Sequence, residues 1–194
     1  MEYIEHIEIR VFYWFNSFAF VSSFIDRFIT FQASYFGWIM LVAFFLFLII
    51  PLFKKYRHLA RLHSELFIFA LTVSLFARFV IKEIITLFYD RLRPFESILY
   101  VKQLILVSGG DSFPSGHAIF FFALAMAIAF YYPRISIFFF IGAFSISVAR
   151  ISAGVHWPLD ILAGTILGIL ISVVFHHFFL LWKKKRQILR HRMS

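Results

Sequence analysis

Three short segments hold most of the side chains in this chain that can do chemistry. They are Tyr89-Asp90-Arg91-Leu92-Arg93-Pro94-Phe95, Ser112-Phe113-Pro114-Ser115-Gly116-His117, and the stretch from Ala149-Arg150 to His156-Trp157-Pro158-Leu159-Asp160. In the third, Pro158 suits the first turn of a helix, which puts His156 just before that helix and Asp160 one turn into it. Four residues of helical spacing let the carboxylate reach an imidazole nitrogen. A carboxylate there fixes the tautomer and leaves the second nitrogen free as a nucleophile or base. The bland alternative is a helix cap with a satisfied histidine. In the second segment, Pro-Ser-Gly-His opens a helix. Free N–H groups and the positive dipole end suit an anion. Gly116 permits close approach, the Ser115 hydroxyl can donate, and His117 can move a proton. The bland alternative is an ordinary helix start. Arg93 and Arg150 add planar cationic forks that fit phosphate oxygens, or else snorkel to the membrane surface. Two arginines, two histidines, one serine and one aspartate together describe phosphoryl transfer without a metal.

The elements that must position these residues are membrane helices. Of the 194 residues 62% are hydrophobic, 22% aromatic and 15% charged, with a mean hydropathy of +0.87. Such a surface cannot be covered in water, which excludes a soluble or disordered chain. Apolar runs at about 34–53, 65–81, 114–131, 135–149 and 158–182 predict an all-α, polytopic bundle of five spans. The stretch 11–25 makes six if it crosses, but Asn16 interrupts it. The preferred reading is an amphipathic N-terminal segment over 1–33 lying in the interface, with Ile4, Ile7 and Val11 opposite Glu2, Glu5 and Glu8. That start lacks the basic region of a cleaved signal peptide, so insertion should rely on the spans. One membrane-embedded domain over 1–194 is expected, ending in a basic tail over 183–194.

Charge sets the orientation. There are 19 Lys and Arg against 10 Asp and Glu, a net +9. In a hydrophobic chain this excess points to topology and anionic lipid, not nucleic acid. Lys54, Lys55, Arg57, Arg61, Arg134 and the six basics from Lys183 to Arg192 fall on one side of the predicted bundle. The positive-inside rule makes that side cytoplasmic and puts all three segments on the opposite face. No cysteine exists, so disulfides and thiolate chemistry are excluded.

Taken together, the segments resemble the signature motifs of the type 2 phosphatidic acid phosphatase superfamily of membrane lipid phosphatases. That pattern is Lys, six residues, Arg-Pro; Pro-Ser-Gly-His; and Ser-Arg, five residues, His, three residues, Asp. Arg93-Pro94, Pro114 to His117, Arg150, His156 and Asp160 match in identity and spacing. The run from Leu87 to Phe95 is especially similar to bacterial undecaprenyl-diphosphatase members. Two positions depart. Thr86 stands where the lysine belongs, with Lys82 one turn earlier, and Ala149 replaces the serine before Arg150.

The resemblance implies a phosphohistidine mechanism. His156 would attack phosphorus, oriented by Asp160, while Arg93, Arg150, Ser115 and Gly116 hold the oxygens. His117 would protonate the leaving group, and Lys82 and Thr86 are further phosphate-binding candidates. It implies an envelope-lipid substrate of undecaprenyl diphosphate, phosphatidylglycerophosphate or lipid A 1-phosphate type, in a bacterial inner membrane. The site would lie on the periplasmic or extracellular face. No cofactor, metal or obligatory protein partner is expected. A lipid-phosphate flippase or a non-catalytic lipid-binding protein is the alternative. Outside the motifs, Arg78, Lys82 and Thr86 fall on one helical face that could lead an anionic headgroup inward, with ordinary interface anchoring the preferred reading for Arg78. His58, His63 and His191 read as solvated, and adjacent His176 and His177 diverge too far to share a metal.

Overall fold

A computed structural model describes residues 2–193, with side chains described for 5–189. All regular structure in that range is helical. In chain order the elements are α1 (Glu2–Asn16), α2 (Ser23–Ser34), α3 (Phe36–Leu48), α4 (Ala60–Phe76), α5 (Lys82–Phe88), α6 (Pro94–Ser97), α7 (Gly116–Ala129), α8 (Pro133–Ser152) and α9 (Pro158–Met193). Arg190 and Arg192 of the basic tail lie outside the described side chains.

Three helical stretches are long and apolar enough to cross a membrane: Lys54–Phe88, Pro133–Ser152 and Pro158–Leu189. A fourth is the pair Ser23–Ser34 and Phe36–Leu52, bent by 50°. The remaining crossing foreseen from hydropathy, α7, is apolar but has only 14 residues, about 21 Å of helix. Its shortness follows from sequence: Pro114 and Ser115 set its start, and Tyr132 and Pro133 end it.

The N-terminal 33 residues carry α1 and most of α2. α2 joins α3 across the bend, and α1 packs on α8 and α9. The stripe that α1 buries is Glu8, Phe12 and Asn16, while Ile7 and Val11 are exposed. In a lipid setting this sense is expected, since apolar side chains face acyl chains at no cost and polar groups need protein partners. Asn16 finds three. Its amide donates to Lys102 O at 2.8 Å and Ser152 O at 3.0 Å, and its carbonyl accepts from Lys102 N at 2.9 Å.

The core is centred on α7, which packs against α9, α8 and α4. Phe44, Leu66, Val73, Ile119, Leu124, Ile128 and Ile146 are buried there. Close approach of α7 and α9 depends on two glycines one turn apart. A Cβ on Gly164 would lie 2.8 Å from the Ser115 carbonyl oxygen, and one on Gly168 would lie 2.5 Å from that of Ile119. Small residues at this spacing let helix backbones touch in a membrane. Of the histidines read as solvated, His58 is exposed, His191 lies outside the described side chains, and His63 is not solvated. His63 is buried between Phe47 and Tyr132, with ring centroids at 4.8 and 5.4 Å, and His176 stacks on Phe130 at 3.8 Å.

Candidate active site

The three segments meet at one end of the bundle. Arg93 sits just before α6, where its N–H donates to the Glu96 carboxylate at 2.9 Å. The same carboxylate accepts from Gly110 N, which ties α6 to the loop ahead of α7. The Arg93 guanidinium reaches inward to Ser108 O at 3.0 Å and Val155 O at 2.9 Å. Arg150 comes from the last turn of α8 and is buried. Each arginine places a terminal nitrogen 3.5 Å from His156 Nε2, so the two forks flank one nitrogen of the imidazole.

The other nitrogen is held differently from the sequence expectation. His156 Nδ1 lies 3.0 Å from the backbone carbonyl of Ser112 and 3.6 Å from Asp160 Oδ2. A carbonyl only accepts, so Nδ1 carries the proton and Nε2 presents its lone pair between the arginines. Asp160 acts at one remove. It accepts from Ser112 Oγ at 2.5 Å and from Trp157 N at 2.8 Å, and so fixes both residues that frame the ring. Burial, aided by the Arg150 and Arg93 charges, pushes the His156 pKa down to about 4 against the upward pull of Asp160. The imidazole is therefore neutral at physiological pH.

Asp160 is fully buried and needs a counter-charge, which is Arg91. Arg91 Nη1 meets Asp160 Oδ1 at 2.7 Å, and Nη2 meets Glu8 Oε2 at 2.6 Å. The other oxygen of Glu8 accepts from Leu159 N at 3.1 Å, at the exposed start of α9. Burial disfavours the Arg91 charge, and its bonds to Glu8 and Asp160 more than offset that, so its pKa rises. Glu8, Arg91 and Ser112 carry no role in the motif reading. A glutamate four residues before Phe12 and eight before Asn16 is the signal that could have found the first. The Ser112 carbonyl leaves no mark in a sequence.

The remaining candidates are placed as follows. Ser115 precedes α7, and its N–H bonds Asp160 O at 3.1 Å. Its hydroxyl is buried and unpartnered, as is Arg150 Nε. Gly116 opens α7, and a Cβ there would strike Arg78, lying 2.7 Å from its Cζ. His117 lies in the first turn of α7 beside Phe121. Thr86 directs its hydroxyl to Phe113 O at 3.4 Å, and buried Lys82 pairs with Glu83 at 3.4 Å and Asp111 at 3.7 Å. Both therefore brace the loop ahead of α7. Arg78, expected at the interface, instead crosses Gly116 and bonds Glu83 at 3.0 Å.

Two buried polar atoms without partners, beside two arginines that converge on a lone pair, mark a space suited to an anion. Known proteins agree on the family. A model of the PAP2 superfamily matches residues 66–184. The bacitracin transport permease protein BcrC of Bacillus licheniformis is 31% identical over 105 residues, 54% of this chain and 49% of that one. An undecaprenyl-diphosphatase of Sulfolobus acidocaldarius is 34% identical over 103 residues, 53% of this chain and 50% of that one. The chain spans about half the length of these relatives. The crystal structure of Aquifex aeolicus LpxE superposes with a TM-score of 0.67 at 25% identity, covering 88% of this chain and 95% of that one.

Proposed function

We propose, from the premise that this chain belongs to the PAP2 superfamily, that it is a membrane lipid phosphatase working through a phosphohistidine. The carrying observation is the pairing of His156 Nε2 with Arg93 and Arg150 at 3.5 Å, next to the unpartnered Ser115 hydroxyl and Arg150 Nε. His156 Nε2 attacks the terminal phosphorus. Its bond to the leaving oxygen breaks, and His117 protonates that oxygen. Arg93, Arg150, the Ser115 hydroxyl and the Gly116 N–H hold the equatorial oxygens as charge builds. Water then attacks the phosphohistidine, gives a proton to His117, and releases phosphate. The Ser112 carbonyl keeps Nδ1 protonated at the start, and the Asp160 carboxylate, close by, steadies the charge on the ring in the intermediate.

The reading takes residues 1–194 as one catalytic domain in a bacterial inner membrane, with the site on the periplasmic or extracellular face. What supports the orientation is the far end of the bundle, where Lys54, Lys55, Arg57, Arg61 and Lys183 to Arg186 gather. The substrate class is a phosphate monoester or diphosphate of an envelope lipid, and the arginines supply the electrostatics that a metal supplies elsewhere. Purified protein in detergent should release phosphate from such lipids in EDTA, with vanadate inhibiting. Loss of activity on chelation, restored by magnesium, rejects metal independence. An impermeant thiol reagent on intact cells should label Ser97→Cys and spare Lys184→Cys.

A transport reading is favoured by one observation, the name of the Bacillus licheniformis relative. It predicts lipid movement across vesicles without phosphate release, and the detergent assay separates the two.

A further inference from the structure

We propose that Arg78 forms a second anion subsite on the leaving-group side, which makes this a site for lipid diphosphates. The inference rests on the phosphatase reading above. Arg78 departs from α-helical register because residues Ala77–Ile81 form a π turn between α4 and α5. Such turns insert an extra residue and redirect the side chains around them, often at functional sites. Here the guanidinium lies across the Cα of Gly116. A Cβ at that glycine would stand 2.7 Å from Arg78 Cζ and 2.8 Å from Cδ, so a larger residue there would displace the guanidinium. One nitrogen, Nη1, bonds Glu83, whose side chain is half-exposed. Among the described residues the other donors of Arg78 bond nothing.

The side on which Arg78 stands gives it a role. It lines a groove of about 360 Å³ with Gly116 and His117, and none of Arg93, Arg150 or His156 lines that groove. Beyond them its walls are largely apolar, with Leu41, Leu75, Phe79 and Phe120. The groove therefore sets Arg78 and His117, the acid proposed for the leaving group, among largely apolar walls, with Arg93, Arg150 and His156 outside its lining. A lipid diphosphate runs from chain to inner phosphate, bridging oxygen and terminal phosphate. Arg78 fits the inner phosphate, which stays on the lipid when the bridging P–O bond breaks. A monoester has carbon at that place, where a guanidinium gains no partner. Lys82 cannot take this part, since it is buried in its pairs with Asp111 and Glu83.

The test uses a matched pair of chains, farnesyl diphosphate and farnesyl monophosphate, with phosphate release followed in detergent. Arg78→Gln should lose about 10–100-fold in kcat/KM on the diphosphate, the worth of a charge-assisted contact, and under about 3-fold on the monophosphate. Arg78→Lys should recover part of the diphosphate rate. His117→Ala should lose less on the diphosphate, because a lipid phosphate held by Arg78 leaves with little need of a proton. Equal loss on both substrates in Arg78→Gln, with an unchanged ratio in Arg78→Lys, overturns the subsite. So does no loss at all. The phosphatase reading fails separately, if the unaltered protein releases phosphate from neither compound.

Discussion

The two ends of the helical bundle both collect arginine and lysine, and they treat them in opposite ways. At one end Arg93 and Arg150 are buried, and among the described residues their guanidinium groups bond backbone carbonyls but no carboxylate; each also turns a terminal nitrogen to the His156 lone pair, and Arg150 Nε is unpartnered. At the other, the Arg61 side chain is 89% exposed and pairs with Glu65 one turn away, where Lys183 also converges. Lys183 lies over Phe179 at 4.6 Å and Arg186 over Trp182 at 4.3 Å, beside an apolar groove of about 690 Å³. The cations there are amphipathic anchors on lipid and water. Charge alone does not separate the proposed catalytic end from the other. Burial without a carboxylate partner does, because a desolvated cation persists only where structure or a ligand compensates it.

The contrast breaks most sharply at His156. His156→Ala should form no labelled phosphoenzyme in rapid quench and should lose about 10⁴-fold or more in kcat. A labelled intermediate on that variant would reject the assignment of the nucleophile. One step outward, Arg91→Gln strips Asp160 of its counter-charge. We expect kcat to fall about 10–100-fold with KM little changed, the pattern of a positioning residue. Glu8→Gln should fall less, because Arg91 keeps Asp160. Equal losses in KM would place Arg91 on the substrate instead.

The α7–α9 seam offers a gentler test. Gly168→Ala pushes a methyl toward the Ile119 carbonyl and should cost about 1–3 kcal/mol in stability, read from the detergent melting curve. Acid pH probes the imidazole itself. In the proposed mechanism only neutral His156 attacks, and its pKa is held near 4, so kcat/KM should persist on acidification to about that pH once the titration of the substrate phosphate is divided out. A remaining limb at 6.5 would reject the buried, neutral ring. The smallest effect belongs to the far end. Glu65→Gln weakens the partly exposed pairs with Arg61 and Lys183 and should change stability by about 1 kcal/mol or less and leave kcat unaltered.

Much of this was legible in the sequence because the chemistry depends on local spacing. Arg93-Pro94, Pro-Ser-Gly-His and the His156–Asp160 interval name the residues that the fold brings together. Less legible was what lies between them. The i,i+4 spacing suggested a direct His156–Asp160 bond, and a backbone carbonyl 44 positions away takes that place. Hydropathy placed the outward face of α1 on lipid, but gave no partner for Glu8, which comes from a segment 83 residues later. Arg78, Lys82 and Thr86 share a face only if the helix is regular. The π turn removes that premise, and no residue type in 77–81 announces it.

The bond from Glu8 to Leu159 joins positions 151 apart in the chain. At a synthesis rate of about 5–20 residues per second, α1 emerges roughly 8–30 seconds before the backbone N–H it will cap. Until the start of α9 has been made there is no Asp160, and Glu8 has neither that helix end nor a paired Arg91 to receive it. The proposed site is therefore the last part of the bundle to be completed, after α1 and α9 have met.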